Sequence, residues 1–174
     1  MRNIDSHNGC IWKSIAAGSV GGLAGSFAMN QFQALWSTAA KALSDQEKND
    51  QESSGENEPA TVQAAKALSK NLFDHGLTES EKKWAGPAVH YALGASLGAV
   101  YGVLFESAPM SGAGFGTVYG ATVWLTADEI AVPALGLSQS PSETPISSHA
   151  SALAAHLVFG LVTHLTRRMI LHSK

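Results

Sequence analysis

The sequence holds one cysteine, Cys10, so no internal disulfide can form and cysteine usage says nothing of redox compartment. Charge is scarce. Asp, Glu, Lys and Arg make up 14% of the residues, against about a quarter in soluble domains. The net charge of −3 and the lack of a basic patch with interleaved aromatics argue against a nucleic-acid partner. HExxH, CxxC and Walker patterns are missing, so the chain points to no enzyme class and no cofactor or metal. The fragment Gly112 to Gly116 (GAGFG) has no βαβ context and is not a dinucleotide fingerprint.

What charge there is lies apart from long apolar blocks. Residues 14–36, 88–105, 107–127 and 150–166 contain no Asp, Glu, Lys or Arg, while most charges fall within 41–83. A membrane helix needs about 20 mostly apolar residues, and four blocks approach that length. The first is long for a signal peptide and contains Asn30, Gln31 and Gln33, so it is read as a span. The expected fold class is all-α: a four-helix transmembrane bundle forming a single membrane domain over 1–174. Its spans are expected at 15–36, 88–105, 112–132 and 149–166, joined by one long polar linker, 37–87, that contains short helices.

Within the linker, Ser44 to Pro59 has almost no apolar residues and reads as disordered. Thr61 to Phe73 has helical spacing through Val62, Ala65, Leu68 and Leu72, and Gly76 would end it. This piece suits either the bilayer surface or the flank of its own protein. Thr78 and Glu81 are spaced as a capping box, and Pro87 is taken as the start of the second span. Glu106 to Ser111 reads as a tight turn, and Pro133 as the end of the third span or a kink in it. Ser147 or Ser148 would cap the fourth helix, and Arg167 with Arg168 would stop it at the membrane surface.

Glycines recur every fourth residue. Gly94, Gly98 and Gly102 form one stripe, Gly112, Gly116 and Gly120 a second, and the two are related by a local repeat in which Gly98-Ala-Val-Tyr-Gly102 matches Gly116-Thr-Val-Tyr-Gly120. Such stripes let backbones approach closely, and the two matching spans are expected to pack on each other through them. The same stripes permit association with a second copy, and the lipid bilayer is the other expected partner.

Four spans place the polar residues of the linker-facing half at one depth: Asn30 and Gln33 on the first span, His90 on the second, Asp128 and Glu129 on the third, and His149 and His156 on the fourth. Apolar residues continue on both sides of the acid pair. Asp128 is taken as the inner acid, with Glu129 turned about 100° away. Charged groups at bilayer depth are costly unless paired or wet. Three uses fit: a proton-handling cluster, a divalent-metal site of imidazoles and carboxylates, or hydrogen bonds that fix helix packing.

Gly21-Gly22-Leu23-Ala24-Gly25-Ser26-Phe27-Ala28-Met29-Asn30-Gln31-Phe32-Gln33, with the Tyr-Gly spans and the late Asp-Glu pair, resembles the YagU-type family of uncharacterised bacterial inner-membrane proteins. The resemblance implies a small multi-pass inner-membrane protein and carries over no catalytic residue. The expected function is a structural or accessory one in that membrane, with a role in pH homeostasis suggested by the histidines and buried acids. The alternative is a small transporter or channel subunit for protons or a divalent metal. Lys and Arg cluster at the termini (Arg2, Lys13, Arg167, Arg168, Lys174), which places both termini in the cytoplasm.

Overall fold

The computed structural model describes residues 4–44, 60–73, 78–107, 114–138 and 140–173. Among them the chain is all-helical, with no strand. Helix α1 spans Ile4–Ser44, α2 Ala60–Phe73, α3 Glu79–Ser107 and α4 Gly114–Val123. A π-helical segment, Trp124–Ala131, continues α4 without a break and leads into the single turn α5, Val132–Ala134. A 3₁₀ turn at Pro141–Glu143 precedes α6, Ile146–His172.

Several elements run past their expected bounds. Helix α1 begins at Ile4, well before the expected start at residue 15, and continues beyond Trp36 to Ser44, for 41 residues in all. Helix α3 begins at Glu79 rather than at Pro87 and passes through the proline. Pro87 is exposed, so the carbonyl one turn back that loses its N–H donor need not be buried without a partner. The start of α3 is the expected capping box: the Thr78 N–H donates to Glu81 Oε2 at 2.8 Å and the Glu81 N–H returns to Thr78 Oγ1 at 3.4 Å. The fourth helix is not capped by serine. It starts at Ile146, with Pro145 at the N-cap and its carbonyl accepting from the Ser148 N–H at 2.9 Å, which puts Ser147 and Ser148 inside the helix. The turn expected around Pro109, most of the acidic linker, Gly76 and Gly112 lie outside the described residues.

The third stretch ends beyond Pro133 because the helix has already widened. In α-geometry the Glu129 carbonyl would face Pro133, which has no N–H and whose ring would collide with it. The i→i+5 pattern avoids that pairing, as where the Val132 N–H reaches the Ala127 carbonyl. Gly136 then adopts φ 69° and closes the end, with its N–H on Pro133 O at 2.9 Å and the Leu137 N–H on Val132 O at 3.0 Å.

The long helices pack antiparallel, in an order set by glycine. The expected contact between the Gly94–Gly102 and Gly112–Gly120 stripes does not form. A methyl group on Gly98 would strike the Gly18 carbonyl, and one on Gly22 the Gly94 carbonyl, so the α3 stripe is pressed against α1. A methyl on Gly116 would come within 2.6 Å of the Gly160 carbonyl, and one on Gly120 would strike the His156 carbonyl, so the α4 stripe is pressed against α6. Helix α1 also closes on α6, where a methyl on Gly21 would lie 2.7 Å from Thr163 O. Helices α3 and α4 meet instead through large side chains. The Tyr101 and Tyr119 rings lie 4.8 Å apart, and the Tyr119 hydroxyl donates to Leu97 O at 2.7 Å. Each Tyr-Gly pair of the repeat thus turns its glycine to one neighbour and its tyrosine to another. Helix α2 lies against α3, with Ala65 buried and Val62 over Gly86.

Side chains are distributed by polarity in an unusual sense. The buried polar or charged residues are Ser14, Ser26, His156, Thr163, His164 and Arg167, alongside the glycines. Val20, Leu23 and Phe27 of α1, Leu93, Val100 and Leu104 of α3, Val118, Leu125 and Ile130 of the third stretch, and Leu165 of α6 face outward. Among the described residues, two stretches, Ser80–Phe105 and Ile146–His172, are long and apolar enough to cross a membrane.

Candidate functional site

The linker-facing end of the bundle gathers most of the expected polar residues, and the widened helix decides how they meet. An i→i+5 helix advances through a smaller angle per residue than an α-helix, so consecutive side chains diverge less. Asp128 and Glu129, at consecutive positions, both reach α6. Glu129 Oε1 lies 2.6 Å from His149 Nδ1, and Asp128 Oδ2 lies 3.6 Å from His156 Nδ1. The side chain of Asp128 is 39% exposed and that of Glu129 16%.

The bonds of His149 fix its proton count. Its Nε2 lies 3.0 Å from the Pro141 carbonyl, which only accepts. Its Nδ1 faces a carboxylate oxygen. A neutral imidazole has one N–H and one lone pair, and would aim the lone pair at one of two acceptors. Both contacts are satisfied only when His149 is an imidazolium or when Glu129 carries the proton. The pair thus holds one proton more than a neutral imidazole plus a carboxylate. His156 differs. Its Nδ1 donates to Ala152 O, one turn back in its own helix, at 3.0 Å, leaving Asp128 beyond hydrogen-bond distance but near enough for attraction.

His90 completes the cluster from α3. Its ring is hydrogen-bonded to the backbone of Ser26 and lies within electrostatic reach of Asp128 and His156, and its Nε2 is buried with no partner among the described residues. Asn30 is close by on α1, donating to the Tyr91 hydroxyl at 3.4 Å, and does not contact the acids. Gln33 is exposed and stands apart. A cavity of about 180 Å³ opens beside the pairs, lined among others by Asp128, Glu129, Pro133, Pro141 and His149. No group of three or more His, Cys, Asp or Glu side chains converges as metal ligands among the described residues. The arrangement is two separate His–carboxylate pairs stacked along α6.

The opposite end holds a second polar cluster that the sequence reading passed over. Arg167, expected at the membrane surface, is only 5% exposed. Its guanidinium lies 4.7 Å from the Phe105 ring centroid and donates to Ser14 Oγ of α1. His164 is 3% exposed and its Nδ1 lies 2.7 Å from the Tyr101 hydroxyl. The signal was available: Gly160, His164 and Arg167 recur at steps of four and three on the face that meets α1 and α4.

One spacing has a hydrolase look. Gly94-Ala95-Ser96-Leu97-Gly98 reads as GxSxG. Ser96 is in the middle of α3, exposed, with its hydroxyl donating to Ala92 O at 2.8 Å. A nucleophile elbow requires a strand-to-helix turn, so this serine has no such context.

These features define a class: an all-helical protein with two helices capable of crossing a membrane, glycine-mediated helix contacts and polar clusters at both ends of the bundle. The chain belongs to a family described as proteins of unknown function (DUF1440), whose sequence model matches residues 56–165. That match takes in α2 through most of α6, including both His–carboxylate pairs. No curated protein and no solved structure matches the chain.

Proposed function

We propose that this is a multi-pass protein of the bacterial inner membrane, with four spans in α1, α3, the α4-to-α5 stretch and α6. Its role is structural or accessory, and its His–carboxylate pairs act as a proton-responsive latch. The membrane reading is supported by polarity: many Val, Leu, Ile and Phe side chains face outward, while Ser14, Ser26, His156, Thr163, His164 and Arg167 are enclosed beside a small apolar core of Met29, Ala155 and Phe159. In water this would leave a large apolar surface, whereas between helices in lipid small and polar residues are the usual contact. Trp12 and Trp36, both exposed, stand about 36 Å apart along α1, which suits anchors at the two faces of a bilayer whose apolar core is about 30 Å. The acid pair and Asn30 to Gln33 keep α1 and the third stretch less apolar than the other two, as expected of spans that carry an internal polar site.

The latch rests on one observation, the two acceptors on either side of His149. The proton held there ties the π segment to the start of α6 and to Pro141. As pH rises and it is released, an imidazole lone pair faces one of the two acceptors, Glu129 or the Pro141 carbonyl, and one of the two contacts weakens. This supports a part in pH homeostasis. The direct test compares growth and cytoplasmic pH under acid challenge for wild type, Glu129→Gln, Asp128→Asn and His156→Ala at matched membrane abundance. Slower pH recovery in the variants is expected; recovery identical to wild type in all three would remove the proton role. Proton flux into proteoliposomes that the same substitutions abolish would instead favour the transporter alternative.

A further inference from the structure

At the end of the bundle away from the His–carboxylate pairs, Phe105, His164, Arg167, Arg168 and His172 line a cavity of about 170 Å³. A single water takes a share of about 30 Å³ in the liquid, so the space suits something larger. No carboxylate lines it among the described residues.

His164 shows what the cavity lacks. The Tyr101 hydroxyl is buried, and its one hydrogen-bond partner among the described residues is His164 Nδ1, so the hydroxyl satisfies its proton by donating to that nitrogen. Nδ1 is then the acceptor and Nε2 carries the ring proton. That Nε2 is buried and has no partner among the described residues. A buried donor without an acceptor is destabilising, so an oxygen acceptor entering here gains that contact. Around it stand the guanidinium of Arg167, braced by Ser14 and Phe105, and that of Arg168, on the exposed rim. The His172 Nδ1 donates to Arg168 O and ties that ring to the same turn. Guanidinium groups match the oxygens of a tetrahedral anion with paired N–H bonds. Trp12, 69% exposed and two residues before Ser14, marks the level at which headgroups would lie.

We infer that this pocket binds a phosphate group, with His164 Nε2 and the Arg167–Arg168 pair as its donors. The chemistry is shared by a lipid headgroup phosphodiester and by free phosphate. The inference does not rest on the latch, which occupies the opposite end of the molecule.

The test uses the full chain, delipidated in a maltoside detergent and titrated with inorganic phosphate and, separately, with dihexanoyl phosphatidylglycerol, each against sodium chloride at equal ionic strength. Saturable binding of at least one probe is expected. Arg168→Gln, an exposed position, should weaken it about tenfold, as should His164→Leu where that variant folds. Lys13→Gln removes an exposed charge that does not line the pocket, and should leave binding within about twofold. Binding of the lipid alone assigns the site to a headgroup, and comparable binding of both probes assigns it to the phosphate group itself. Binding of neither probe above chloride would overturn the inference. So would equal losses in Arg168→Gln and Lys13→Gln, the mark of unspecific charge attraction.

Discussion

His149 is the residue on which the linker-facing end turns. Placed between a carbonyl and a carboxylate, it obliges its pair with Glu129 to carry a proton that the unfolded chain releases more readily. The folded state therefore binds more protons than the unfolded one across the imidazole range, and by linkage stability falls as pH rises. Thermal unfolding of the wild type in detergent should show a lower midpoint at pH 8.5 than at about pH 6. Glu129→Gln should flatten most of that slope and lower the midpoint at the lower pH. At the other end, Tyr101→Phe leaves His164 Nδ1 without its donor in a buried site and should cost a similar amount, about 1–3 kcal/mol, by the same measurement. The polar residues were individually legible in the sequence, because His90, Asp128, Glu129, His149 and His156 interrupt apolar blocks. Their pairing was not, since it depends on the turn angle of a π segment that no residue pattern announces. The enclosure of Arg167 was not legible, because two arginines after an apolar run look the same whether or not a neighbouring helix covers them.

At the scale of elements, the existence of the long helices followed from block length and the capping box, while the glycine partners did not. Stripes of equal spacing on consecutive helices are as complementary to each other as to any third helix. Tyr101 and Tyr119 decide the matter: with two rings between them, α3 and α4 cannot close to backbone contact, and each glycine face turns to α1 or α6. Gly98→Val and Gly160→Val force a side chain into a facing backbone carbonyl and should cost about 1–3 kcal/mol or more, read as loss of the monodisperse peak on size exclusion in detergent. Gly114→Ala meets nothing within 4 Å and should run as wild type. Pro133→Ala restores the N–H that α-geometry would use, so the segment can rewind and swing Glu129 away from His149. That variant should lose the pH slope as Glu129→Gln does, although it leaves every titratable group in place.

For the whole molecule, the proposal of a membrane protein draws its support from the outward-facing apolar side chains. Phe27, Val100, Val118 and Leu165, one from each long helical stretch, are all outward-facing and more than 40% exposed. In a soluble helical protein such positions would meet water. The scarcity of cysteine makes them addressable, since Cys10→Ser yields a cysteine-free background. The most direct measurement introduces one cysteine at a time at these four positions and challenges native membranes with a water-soluble, membrane-impermeant maleimide. The account predicts that all four stay unlabelled until the membranes are dissolved in denaturant, while Cys10 of the wild type, exposed near the end of α1, labels in opened membranes without it. Rapid labelling of Phe27→Cys or Val118→Cys in intact membranes, at the rate seen for Cys10, would contradict the four-span reading and the function built on it.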